Sequence, residues 1–114
     1  MNTKRTAGYS IDATAGAVTD QVLFSCPNGY RAIVYMFFMA NTSGANAVVS
    51  AKWNDNGTPR TFMDGATLAA NSHIQFGGDG LWIVMDEGDY FTASVSNGHS
   101  ADVLVSYELQ RALK

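Results

Sequence analysis

Between residues 17 and 108, short apolar-rich segments alternate with turn clusters at intervals of about ten residues, the spacing of an all-β domain. The pattern predicts strands at 17–25, 30–41, 46–54, 58–63, 72–76, 81–85, 90–96 and 101–108. In 46–54, Val49, Ala51 and Trp53 share a face opposite Val48, Ser50 and Lys52; in 90–96, Phe91, Ala93 and Val95 alternate with Tyr90, Thr92 and Ser94. Ile74 and Phe76 alternate with His73 and Gln75, and Val103, Val105 and Tyr107 share one side of the last strand. The punctuation is chemical. Asp55-Asn56-Gly57 is a hairpin signal, because Asn-Gly accepts positive φ at low cost. Gly77-Gly78-Asp79-Gly80 and Asp86-Glu87-Gly88-Asp89 read as tight turns. Pro59 cannot donate a ladder hydrogen bond, which makes 58–63 an edge strand. No helical period lasts beyond two turns, and the tail from Leu109 to Lys114 reads as one ragged turn. The expectation is a single all-β domain: a β-sandwich of about eight antiparallel strands, jelly-roll-like, with an extended N-terminal arm.

One strand departs from simple alternation. Ala32 to Ala40 is an uninterrupted apolar run, too short for a membrane helix of about 20 residues. Strict alternation puts Ile33, Tyr35, Phe37 and Met39 on one side and Ala32, Val34, Met36, Phe38 and Ala40 on the other. A sandwich strand covers one face with its own core while the other ordinarily meets water. The second face therefore calls for a partner, lined either by Phe38 with Met36 or by Phe37 with Tyr35. Trp82 stands opposite Leu81, Ile83 and Met85; one of these sets points out of the core, and an outward Trp82 would join the partner surface.

Residues 1–16 are small, polar and aperiodic, and read as the arm; residues 17–114 are the sandwich. Lys4 and Arg5 form a basic pair at its start, and Tyr9 and Ile11 are its apolar anchors against a neighbour. On this reading, deleting residues 2–12 leaves the sandwich's melting temperature nearly unchanged but reduces attachment to the particle.

Composition narrows the function. The chain has 114 residues, enough for one domain with a core. Charged residues make up 15% against a usual roughly 25%, so much of the surface suits contacts. A net charge of −3 argues against a nucleic-acid binder, and no segment suits a membrane. The single cysteine, Cys26, leaves no disulfide framework and no cysteine zinc site. No apolar stretch follows the early basic residues, so no signal peptide is expected and the sequons at Asn41 and Asn56 carry no weight.

Candidate chemistry is sparse. His73 and His99 lack metal-ligand spacing. Asp86, Glu87 and Asp89 are carboxylates close enough to hold Ca²⁺, yet Gly88 among them makes a hairpin turn the better reading. Cys26 has no basic neighbour in sequence beyond Arg31 to activate it and reads as a buried thiol. No nucleophile elbow, phosphate loop or dinucleotide fingerprint is present, so no catalytic residue, metal or cofactor is expected.

Two stretches carry a resemblance. Phe24-Ser25-Cys26-Pro27-Asn28-Gly29-Tyr30-Arg31-Ala32 leads into the apolar strand, which ends in Ala40-Asn41-Thr42. From Leu68-Ala69-Ala70-Asn71-Ser72 onward come a strand, a Gly-rich turn, Leu81 to Met85, Glu87-Gly88-Asp89, Tyr90 to Ser96, and finally Val103 to Glu108. This order resembles small β-sandwich virion structural proteins of tailed bacteriophages, over about residues 18–108. The resemblance implies a non-enzymatic virion component, assembled in the bacterial host cytoplasm. It favours a capsid decoration (cement) protein that forms a homotrimer and contacts the major capsid protein or another virion protein. A tail-, neck- or fibre-associated module is the alternative; a carbohydrate-binding or adhesive sandwich, which rests not on the resemblance but on Trp82 or tyrosines as a stacking platform, is the second.

Overall fold

The computed structural model describes residues 3–112. Nine strands follow one another: β1 (Lys4–Asp12), β2 (Val18–Ser25), β3 (Tyr30–Asn41), β4 (Ala47–Asp55), β5 (Thr58–Leu68), β6 (His73–Gly77), β7 (Ile83–Met85), β8 (Tyr90–Val95) and β9 (Ser100–Arg111). They form two antiparallel sheets packed as a sandwich. One has the order β1-β9-β3-β6, with β7 also paired to β3; the other runs β2-β8-β4-β5.

The inward faces meet in one apolar core. Its largest fully buried side chains include Phe37, Phe91, Ile11, Met39 and Met85. Burying each such side chain contributes roughly 1.5–3 kcal/mol. At one end the rings cluster. Phe62 meets Phe37 edge-on at 5.2 Å and Trp82 at 5.2 Å, while Trp82 stacks between Phe76 at 5.9 Å and Phe91 at 6.0 Å.

The punctuation behaves as its chemistry requires. Asn56 and Gly57 take φ of 51° and 87° and close the β4–β5 hairpin. β5, which carries Pro59, pairs with β4 alone and is an edge strand. It runs on to Leu68, and β9 continues through Arg111, so the predicted ragged turn at 109–111 is strand; residues 113–114 lie outside the described residues.

Two buried polar side chains tie the loops. Asn41 is 1% exposed. Its Nδ2 donates to the carbonyls of Ala45, Leu68 and Ala69 at 2.9, 3.0 and 3.2 Å, and its Oδ1 accepts from the amide and hydroxyl of Ser43. Asp89, 3% exposed, accepts from the Asn56 amide at 2.9 Å and the Asp86 amide at 3.0 Å, pinning the β4–β5 hairpin to the β7–β8 turn.

Two expectations change. The segment read as an arm lies, over residues 4–12, as an edge strand on β9, in unbroken register from Lys4↔Glu108 to Asp12↔Ser100; residues 1–2 lie outside the described residues. Its outward positions, Lys4, Thr6, Gly8, Ser10 and Asp12, are polar or glycine, and its inward set, Arg5, Ala7, Tyr9 and Ile11, mixes a charge, a small residue and two large ones, so the alternation is weak in sequence. Ile11 is 1% exposed inside the chain's own core and Tyr9 packs against that core, so neither is an anchor held out to a neighbour. The second change is in β3. Its pairing with β9 slips by one residue between Val34 and Met36, a β-bulge at Tyr35. Ala32 and Val34 face the core before the bulge, and Phe37 and Met39 after it. The two faces inferred from strict alternation exchange halfway along the strand.

Candidate interface

The bulge decides which side chains of β3 reach solvent. Met36, Phe38 and Ala40 stand on the outer side of the five-stranded sheet, in line with Ser106, Leu104 and Asp102 of β9; Ile33, in line with Glu108, lies on the same side but is only 7% exposed. Leu104 is directly opposite Phe38 and 38% exposed; Val84 of β7, opposite Ile33, is 37% exposed. Tyr35, Met36 and Phe38 are half-buried. Together they make a continuous apolar strip across β9, β3 and β7. Gly8 of β1 keeps its edge low: a Cβ there would lie 3.5 Å from Leu104 Cδ2.

Few charges border the strip. The Lys4 ammonium lies 4.3 Å from the centroid of the Tyr35 ring, a cation–π contact. The Tyr35 hydroxyl donates to Glu108 Oε1 at 3.3 Å, and partial desolvation with the Glu108 charge raises its pKa. At the far end the His73 ring stacks on Phe38 at 5.0 Å, and Ser10 donates to Asp102 at 2.9 Å. The surface polar groups are thus largely paired among themselves, and the middle of the sheet is left apolar. The outer side of the four-stranded sheet differs: Ser94, Thr92, Ser50, Lys52 and Asn54 cover its centre, with Val22 and Val48 isolated among them. Single exposed valines are ordinary; a connected strip is informative.

The predicted interface residues divide accordingly. Tyr35, Met36 and Phe38 come together on the outer face. Phe37 is fully buried and belongs to the core, as does Ile11. Trp82 packs inside the aromatic cluster rather than outward: it precedes β7, so both Trp82 and Ile83 turn to the core. Val84, which alternation put on one face with Trp82, does point outward, and Leu104 is the partner that alternation missed. The unbroken Val103-Leu104-Val105 run carried that signal, since Leu104 stands opposite its two buried neighbours.

The chemical candidates take structural positions. Cys26 is buried, its Sγ 3.3 Å from the Tyr30 carbonyl oxygen. Burial, aided by Asp89, Asp86 and Glu87, pushes its pKa up to about 11, although a backbone hydrogen bond at Ala32 pulls the other way. His99 Nδ1 is 3.1 Å from the Ser43 hydroxyl. Among the described residues no group of three or more His, Cys, Asp or Glu side chains is placed to hold a metal ion.

The sandwich has a counterpart among solved structures. It is similar to a chain of the cyanophage Pam1 capsid asymmetric unit. The TM-score is 0.50 at 20% sequence identity, covering 96% of this chain and 85% of that one. At that identity the likeness bears on the fold. No protein-family model matches the chain, and no curated protein matches it either.

Proposed function

We propose that the chain is a non-enzymatic structural protein of a tailed-bacteriophage virion, a capsid decoration (cement) protein that binds through the outer face of its five-stranded sheet. The observation that carries this reading is the apolar strip of Tyr35, Met36, Phe38, Val84 and Leu104. The core between the two sheets is closed by other side chains, so the exposed part of the strip is apolar surface that the isolated chain leaves in water. A surface of this kind loses unfavourable hydration when another protein covers it. The likeness to a chain of a phage capsid asymmetric unit supports the choice of setting. Self-association as a trimer around the same face, with the major capsid protein beneath, is the arrangement we favour.

Immunogold electron microscopy of the phage that encodes the chain tests the proposal. Label spread over the head is expected. Label confined to the neck, tail or fibres would establish the alternative module, and mature particles without label would overturn the virion reading.

A further inference from the structure

The outer side of the four-stranded sheet holds a second, differently built feature. A shallow cleft of about 160 Å³ is lined by Asp20, Val22, Lys52, Asn54, Pro59, Tyr90 and Thr92. The register explains how the chain assembles it. Val22, Thr92 and Lys52 form one row across β2, β8 and β4; Tyr90, Asn54 and Pro59 form the next across β8, β4 and β5. Asp20 belongs to neither row. It sits at the irregularity between Val18 and Gln21, with φ of 51°, and its amide donates to the Ser94 hydroxyl at 2.9 Å. That conformation brings its carboxylate within 3.3 Å of the Lys52 ammonium.

From this geometry we propose that the cleft binds one ring of a neutral sugar. Its charges, Asp20 and Lys52, cancel, so neither an anion nor a cation is favoured. Its polar groups offer both hydrogen-bonding senses: Asp20 accepts, Lys52 donates, and the Asn54 amide, the Tyr90 hydroxyl and the Thr92 hydroxyl complete the set. Neither hydroxyl has a hydrogen-bond partner among the described residues, and Asn54 Oδ1 already accepts from the Gly57 amide at 3.0 Å. Sugar hydroxyls donate and accept in the same way. The Tyr90 ring, Val22 and Pro59 supply the apolar surface that the C–H face of a pyranose requires. The volume is below the roughly 300–1,000 Å³ of pockets for drug-sized ligands, which limits the occupant to a single ring or the end of a chain. The cleft lies on the opposite layer from the apolar strip, so both surfaces are usable at once. Its orientation away from a shell rests on the proposed function; the binding itself does not.

Chemical-shift mapping of the ¹⁵N-labelled chain tests the inference, with glucose, galactose, mannose and N-acetylglucosamine as probes at up to tens of millimolar. At least one sugar should shift the amides around Val22, Lys52, Asn54, Tyr90 and Thr92 in a saturable way. Tyr90→Ala should weaken that binding at least tenfold. Asp20→Asn, which keeps the left-handed backbone and the volume but removes the charge, should also weaken it and guards against a Tyr90 variant that misfolds. Phe38→Ser, on the other sheet, should leave it unchanged. No saturable shift with any probe, shifts elsewhere on the surface, or binding untouched by Asp20→Asn would overturn the proposal. Because the measurement uses the isolated chain, its failure is separable from absence of immunogold label on the head.

Discussion

Asn41 shows most plainly what one polar residue does in this sandwich. Its side chain makes five hydrogen bonds from a position 1% exposed, joining the end of β3 to carbonyls just before β4 and at the end of β5. Asn41→Ala strands those carbonyls, and each orphaned buried group costs about 1–3 kcal/mol. A destabilisation of about 2–4 kcal/mol is expected by urea denaturation. Cys26 gives a second, pH-dependent prediction. The folded thiol is held up to about 11, whereas the unfolded one ionises near its ordinary value of 9.0. Below that ordinary value both states keep the proton and the thiol adds no pH dependence. Above it the unfolded chain releases a proton that the folded chain retains, so stability falls until the folded thiol also ionises. Melting temperatures of the wild type and Cys26→Ala, measured across that alkaline window, should show the steeper fall in the wild type; parallel curves would mean that the thiol is not held up. Of these two residues, the sequence showed Cys26 as a buried thiol. Asn41 read only as the end of its strand and a sequon, because two of its carbonyl partners, Leu68 and Ala69, lie far along the chain.

At the scale of the strand, β3 explains why part of the site was legible and part was not. The apolar run announced a strand with work on both faces, and Phe38 with Met36 was one of the two pairs it offered. Strict alternation cannot see a bulge, and the slip at Tyr35 reassigns every side chain on one side of it. The loop between β6 and β7 packs closely against the bulge. Gly77, with φ of 77°, lies where a Cβ would run into the Tyr35 carbonyl oxygen and come within 3.1 Å of Trp82 Cβ. The loop after β6 also bonds back to the strand there, through Gly78 to Tyr35 and Trp82 to Val34. A pair of variants separates the two faces: Phe37→Ala should cost about 3–5 kcal/mol of stability, as for a buried ring. Phe38→Ser should cost under about 1 kcal/mol and leave the monomer folded, as measured by thermal and urea melts. β1 was the least legible element, since its alternation rests on Ala7, Tyr9 and Ile11 alone and is broken by Arg5 on the same side. Its register with β9 and the burial of Ile11 reverse the expectation for truncation: deleting residues 2–12 should lower the melting temperature by many degrees, and Ile11→Ala alone should cost about 2–5 kcal/mol.

For the molecule as a whole, the two sheets present opposite chemistries, and that asymmetry makes a statement about how attachment should respond to conditions. If the five-stranded sheet is the binding face, most of the attraction is hydrophobic. Lys4 is engaged by Tyr35, Glu108 accepts from the Tyr35 hydroxyl, and Asp102 accepts from Ser10, which leaves little charge for steering. Screening by salt weakens exposed charge pairs over distances of about 10 Å at 0.1 M and leaves apolar burial intact. Binding of the purified chain to particles stripped of it should therefore hold, or strengthen, as sodium chloride rises from low to molar concentration. Phe38→Ser removes one large apolar contact, about 1.5–3 kcal/mol, and should weaken attachment by roughly 10- to 100-fold. Lys52→Gln, on the far sheet, should leave attachment unchanged. Sedimentation equilibrium of the free chain adds the matching measurement: the wild type should run as a trimer and Phe38→Ser should shift toward monomer. Attachment that collapses with salt, or that survives Phe38→Ser at full strength, would move the contact away from this face.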